Sequence, residues 1–201
     1  MKPKYQVIYA DPPWHYENYS NQWHKDNPES RWVGNQYETL RVNELCLLPV
    51  KDIADHNCAL FLWSTPPCLL EALKVISAWG FVYKTKAFCW TKTNRKSDSL
   101  FWGMGYWTRS NTEDCLLATR GNPKRISASI HQVIQSPIQE HSHKPLEVRD
   151  RVTQLMGDVP RLEMFATEKA DGWDSMGNAI DGRDIRIALA ETIALQSEGV
   201  A

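Results

Sequence analysis

Apolar residues along the chain fall into short runs and short periodic stretches, broken by proline, glycine and polar clusters. Tyr5–Ala10 is a β-rich run that stops at Asp11-Pro12-Pro13-Trp14, the pattern of a buried strand ending in a rigid loop. From His15 to Gln36 the chain is polar and aromatic with little periodicity, which predicts a mobile loop. Leu40–Leu48 predicts a short helix stopped before Pro49, and Cys58–Trp63 a second buried strand. Pro66-Pro67 opens a helix with apolar positions at Leu69, Leu70, Leu73, Val75 and Ile76, and Gly80 ends it. Further strands are predicted at Phe81–Trp90, Asp114–Thr119, weakly at Ile130–Ile134, and at Arg161–Ala166. Pro145 to Met156, with Gly157 just beyond, reads as a helix, and Ile185–Leu195 as a C-terminal one.

Strands alternating with helices predict an α/β fold: a parallel or mostly parallel sheet with helices on both faces, in a single domain over residues 1–201. Such sheets bind ligands at the carboxyl ends of their strands. Asp11 follows the first strand directly, so it stands where chemistry is expected. Gly103-Met104-Gly105 lacks the third glycine of a dinucleotide fingerprint and follows no clear strand.

Composition narrows the class. The net charge of −1 excludes a uniformly polybasic tail, and no stretch approaches the ~18 apolar residues of a membrane span. The N-terminal apolar run is too short for a signal-peptide core, so the expected compartment is the cytoplasm. Five cysteines without CxxC spacing read as free thiols in a reducing compartment, and the histidines do not pair with them at metal-ligand spacing. The charge is uneven, however. Residues 81–130 hold nine basic side chains and three acidic ones, together with Trp90, Phe101, Trp102, Tyr106 and Trp107. Cations track phosphates and exposed aromatic faces stack on unpaired bases. A solvated face over core aromatics has the same composition, and composition alone does not choose between the two.

The most informative element is Asp11-Pro12-Pro13-Trp14. The exocyclic amine of a nucleobase is a poor nucleophile, because its lone pair is delocalised into the ring. Two acceptors can hold its two N–H groups and help localise that pair as the nitrogen becomes tetrahedral. The Asp11 carboxylate can be one and the Pro12 backbone carbonyl the other. Prolines fix φ and remove N–H donors, so Pro12 and Pro13 present acceptors in a set geometry. Trp14 supplies a flat face for the base. Such a pair is preorganised for a transition state in which positive charge grows on nitrogen, and the base must leave its stack to reach it. The plain alternative is a strand-terminating Pro-Pro turn with an Asp cap.

The run Val7–Trp14 resembles the catalytic motif of the MT-A70 family of adenine-N6 methyltransferases. The likeness continues in order through Tyr37-Glu38-Thr39-Leu40, Ala59–Trp63, Trp90–Asn94, Glu113–Leu117, Ser142-His143-Lys144-Pro145, Arg161–Phe165 and Gly177–Gly182. It implies a Rossmann-like methyltransferase sheet in permuted order, with the catalytic motif before the cofactor segment. It also implies S-adenosylmethionine as methyl donor, and DNA as the substrate of the small bacterial and phage members, with RNA the alternative. Family members pair, so a homodimer or heterodimer is an expectation, as is a noncatalytic nucleic-acid-binding subunit. Carried over by position, Asp11 serves the target amine and lies near the cofactor, and Lys144 pairs with the cofactor carboxylate. Asn178 reaches its ribose with Glu163 close by, and Phe165 and Ala179 flank the same site. Tyr37 and Glu113 help form the adenine pocket, while Trp90, Lys92 and Arg95 lie on the substrate side.

Overall fold

A computed structural model describes residues 2–15, 39–103, 105, 107–139 and 143–197. Seven strands form one sheet: β1 (Tyr5–Ala10), β2 (Ala54–Ser64), β3 (Val82–Thr93), β4 (Thr112–Arg120), β5 (Val133–Pro137), β6 (Arg161–Met164) and β7 (Asp174–Met176). Their spatial order is β5-β3-β4-β2-β1-β6-β7. β1 pairs in parallel with both β2 and β6, as β6 does with β7 and β3 with β5. β4 alone runs antiparallel to its neighbours β2 and β3, so the sheet is mixed but mostly parallel.

Side-chain alternation along the central strands separates two cores. Ile8, Ala10, Leu60, Leu62, Leu162 and Met164 face one side. There they meet Leu45 of α1 (Val42–Cys46), Val50 and Ile53 of α2 (Val50–Ile53), Val75 and Ile76 of α3 (Leu69–Ala78), and Leu189 of α6 (Ile185–Ser197). Val7, Tyr9, Ala59, Phe61, Trp63 and Phe88 face the other side, against Val148, Val152 and Met156 of α4 (Glu147–Met156). Both faces are therefore covered, which is why the central strands read as continuous apolar runs. No helix among the described residues is long and apolar enough to cross a membrane.

Several sequence expectations shift, each for a local reason. The helix expected over Leu40–Leu48 shrinks to α1, because Leu40 pairs with Trp14 as an isolated bridge and Arg41 caps the helix with extended dihedrals. In α3 the buried face is Ala72, Val75 and Ile76, and Leu69 and Leu70 point outward. An i, i+3, i+4 stripe through those three excludes both leucines, despite their hydrophobicity. β2 begins four residues before the expected Cys58, because Ala54 already pairs with Tyr5 ahead of the polar Asp55-His56-Asn57. β5 lies three residues later than expected, with Ile134 its single buried residue. β6 stops at Met164 rather than Ala166, because Phe165 turns left-handed at φ 61°. β7 has three residues and gave no apolar signal, and α2 was likewise missed. The loop expected between His15 and Gln36 lies outside the described residues, apart from His15.

Phe61 is fully buried and stacks on Phe88 with centroids 6.1 Å apart. Phe61→Ala is expected to lower stability by about 3–5 kcal/mol through lost transfer energy and a cavity. Urea unfolding checks this; a loss below about 1 kcal/mol would show that this face of the sheet repacks freely.

Candidate functional site

The carboxyl ends of β1, β2, β3 and β6, with the start of antiparallel β4, converge at one edge of the sheet. A cavity of about 690 Å³ opens there. Of the residues singled out from sequence, Asp11, Pro12, Pro13, Trp14, Glu113, Lys144, Glu163, Phe165, Asn178 and Ala179 all line it. They come from five separate stretches of chain, which only the sheet brings together.

The corner after β1 is held from several directions. The Trp14 N–H donates to the Pro12 carbonyl at 2.8 Å, and the Leu40 N–H to the Pro13 carbonyl at 2.9 Å. The Trp14 indole donates to the Trp63 carbonyl at 3.0 Å. Trp14 is therefore mostly buried, with part of its surface on the cavity wall. The Pro12 carbonyl keeps its second lone pair.

Four charges alternate in sign, three on the cavity floor and the fourth, Lys92, behind Glu113. The Lys144 ammonium donates to Asp11 Oδ2 at 2.7 Å and lies 3.4 Å from Glu113 Oε2, and the Lys92 ammonium donates to Glu113 Oε1. Lys144 also sits 5.6 Å from the centre of the Trp63 ring. The side chains of Lys144, Glu113 and Lys92 are 11%, 14% and 19% exposed, so these pairs are little screened by solvent. Burial pushes the Glu113 carboxyl up, but the two ammoniums outweigh it and hold it below the usual carboxylate range. Burial opposes the Lys144 charge, yet Asp11 and Glu113 together raise its pKa. Asp11 goes the other way: burial pushes it up more than Lys144 pulls it down, although a third of its side chain still meets solvent.

The opposite wall comes from the end of β6. Phe165 is a bulky residue at positive φ, a conformation that costs about 1–2 kcal/mol and marks functional corners. The Ala166 N–H donates to the Met176 carbonyl at 2.9 Å. Gly177 packs so closely on this corner that a Cβ there would collide with the Ala166 backbone. This contact brings Asn178, at the start of α5 (Asn178–Asp181), to the cavity. Glu163 is buried on β6 and takes a forked pair of hydrogen bonds from Arg149.

The remaining sequence-singled residues lie elsewhere. Trp90 does not offer a stacking face: it is buried in the core under α4, and its indole donates to the Ser136 carbonyl at 3.0 Å. Its parity along β3 turns it inward, which composition does not reveal. Lys92 reaches the cavity only through Glu113, and its ammonium lies 4.9 Å from the Trp90 ring centre. The Arg95 guanidinium donates to the Ile138 carbonyl at 3.0 Å, at the base of the β3–β4 connection. Tyr37 lies outside the described residues.

Sequence reasoning passed over Tyr9, Trp63 and Arg149, which also line the cavity. Tyr9 and Trp63 are hidden inside apolar strand runs, and the Trp63 indole donates to the Tyr9 hydroxyl at 2.7 Å. Arg149 reads as an ordinary solvated charge on a helix. Among the described residues no cluster of histidine, cysteine or carboxylate side chains could hold a metal ion.

Residues 5–179 match the MT-A70 family model. The chain is 34% identical over 199 residues to the Type II methyltransferase M.MunI of Mycoplasma sp, covering 92% of this chain and 82% of that protein. It is 27% identical over 183 residues to the N(6)-adenosine-methyltransferase catalytic subunit METTL3 of Homo sapiens, covering 89% of this chain and 29% of that protein. The N(6)-adenosine-methyltransferase MT-A70-like protein of Drosophila melanogaster is 27% identical over 194 residues, covering 94% of this chain and 29% of its own length. The chain thus spans under a third of these two animal relatives.

A carboxylate whose folded pKa is depressed adds stability above its unfolded pKa, about 4.3 for glutamate, and loses it as pH falls through the folded value. Glu113→Gln is therefore expected to cost roughly 1.5–3 kcal/mol at pH 7, by loss of charge-assisted bonds to two ammoniums. The gap from wild type should stay constant from pH 8 to about 5 and close below about pH 4. Urea midpoints across that range check it; a gap that widened in acid would contradict the charge alternation.

Proposed function

Because the chain belongs to the MT-A70 family, we propose that it transfers a methyl group from S-adenosylmethionine to the exocyclic N6 amine of an adenine in DNA, on a base turned out of its stack. The observation that carries this reading is the placement of Asp11 on a proline-locked corner, bonded to Lys144, at a cavity whose opposite wall bears Glu163 and Asn178. That donor set suits an amino acid joined to a nucleoside: an ammonium for a carboxylate, a carboxylate and an amide for hydroxyls, and Phe165 for an apolar face. Bound S-adenosylmethionine supplies an electrophilic methyl on a sulfonium.

The chain's own residues do the rest. The Asp11 carboxylate accepts one amine N–H and the second lone pair of the Pro12 carbonyl accepts the other. The hydrogen bonds that pin Pro12, Pro13 and Trp14 hold the carbonyl still, and the Lys144 ammonium holds the carboxylate. Fixed acceptors of this kind stabilise positive charge growing on nitrogen without reorganising. Trp14 and Pro13 border the flat slot for the base, and Glu113 faces its edge. Lys144, between Asp11 and Glu113, is poised to pair with the cofactor carboxylate, and Asn178 with its ribose. In this reading the catalytic corner precedes the cofactor wall in the chain, the permuted order of the family, and one domain holds both.

DNA as substrate rests on the likeness to the bacterial type II methyltransferase, which covers most of both chains. It is supported by Arg95, Lys96 and Arg109 on the β3–β4 connection, which leaves and re-enters the sheet at the same edge as the cavity. Lys86 and Lys92 are neutralised by Asp114 and Glu113, while Trp102 and Trp107 stand exposed on the connection. Binding through such cations weakens steeply with salt.

Asp11→Ala and Asp11→Asn are expected to lower methyl transfer at least ~100-fold while the protein stays folded and still binds oligonucleotide. Transfer of labelled methyl to matched adenine-containing DNA and RNA strands checks both the residue and the substrate. Wild-type-like turnover in either variant would remove Asp11 from the mechanism, and label appearing in RNA alone would move the substrate.

A further inference from the structure

We propose that Arg149 is a positioning residue for cofactor binding: its guanidinium fixes the Glu163 carboxylate as an acceptor facing the cavity, where it takes hydrogen bonds from the ribose hydroxyls of the bound nucleoside. The inference rests on the methyltransferase reading and assigns a role to a residue that no motif singled out.

Glu163 stands on β6 in register with Tyr9 and is almost fully buried. A carboxylate there is costly unless paired and hydrogen-bonded. Arg149, from the first turn of α4, supplies both: Nε donates to Oε2 at 2.7 Å and Nη2 to Oε1 at 2.9 Å. Its third arm, Nη1, donates to Glu168 Oε1 at 2.9 Å, bracing the guanidinium against the chain beyond β6. The fork uses one lone pair on each Glu163 oxygen and leaves the others for donors in the cavity, which both residues line. A vicinal diol offers two such donors. A lysine cannot reproduce the planar fork.

The charges around Glu163 make Arg149 decisive. From β1 comes the Tyr9 hydroxyl, from the corner after it Asp11, and from the chain after β6 Glu168; α4 contributes Arg149. Burial pushes the Glu163 carboxyl up, Asp11 and Glu168 push the same way, and Arg149 is the group that opposes them. With Arg149 removed, burial, Asp11 and Glu168 would push the Glu163 carboxyl up unopposed, toward its protonated form. It would then present one oxygen as a donor and lose the matched pair of acceptors.

The test is calorimetric binding of S-adenosylhomocysteine from pH 6 to 9, by wild type, Arg149→Met, Arg149→Lys and Glu163→Gln, with thermal unfolding of each alongside. Arg149→Met is expected to weaken binding about tenfold at pH 7, the scale of one charge-assisted hydrogen bond. Its affinity should rise with pH as Glu163 ionises, with proton release on binding, and more steeply than that of wild type. Glu163→Gln should bind weakly with no pH dependence. A 2′,3′-dideoxy analogue of the ligand should bind all four proteins equally. If Arg149→Met does not fold, Arg149→Lys decides: weakened binding at an unchanged thermal midpoint supports the role, and unchanged affinity overturns it. Affinity in Arg149→Met equal to wild type and flat with pH would also overturn it, leaving a purely structural ion pair. Failure of wild type to bind the ligand at all would instead defeat the methyltransferase reading beneath it.

Discussion

The site depends on one constraint: a lysine held between two carboxylates where the strands end. Lys144 binds Asp11 directly and faces Glu113, which a second lysine, Lys92, holds from the far side. Each of these charges would be prohibitive alone at such burial, and alternation makes the row tolerable. Because the members come from β1, β3, β4 and the segment before α4, the row also ties the catalytic corner to the rest of the sheet. Moving Lys144 would take the bonded ammonium from Asp11, and moving Glu113 would take the paired carboxylate from Lys92.

The sheet itself explains why the corner is stiff. β1 sits between β2 and β6, with both faces covered, so the last residue before Asp11 is fixed by ladders on each side. Beyond it, two prolines remove backbone freedom, and Trp14 anchors its indole on the end of β2. The opposite wall is built differently. There a left-handed Phe165, a glycine with no room for a side chain and a short helix make a tight turn that a regular strand could not. One wall is rigid through pairing and proline, the other through local strain held by close packing.

Much of this was legible in the residues. Apolar runs at β1 and β2 and the proline-to-glycine span around α3 announce their elements, because both faces of the sheet are buried and helix ends demand those residues. Asp11-Pro12-Pro13-Trp14 stands out because a carboxylate and two rigid residues directly follow a buried strand, where such sheets bind ligands. The polar start of β2, the three residues of β7 and the exact stop of β6 were not legible. Their pairing comes from neighbours distant in the chain, not from their own periodicity. Trp90 shows the same limit from the other side: an aromatic in a basic stretch suggests a ligand surface, while strand parity buries it under α4.

What the amino-acid order determined by itself is the longer apolar strands and helices and the rigid, acceptor-bearing corner after β1, since both follow from local patterning and the fixed geometry of proline. What the tertiary structure decided is which distant charges meet. Arg149 has no local signature, yet a helix packed on the second face of the sheet carries it onto Glu163. Lys144 and Asp11 are 133 positions apart and touch only because β6 joins β1 and the helix before it folds back over their common edge. Contacts of that separation are set by sheet topology and packing, and no short stretch of sequence carries them.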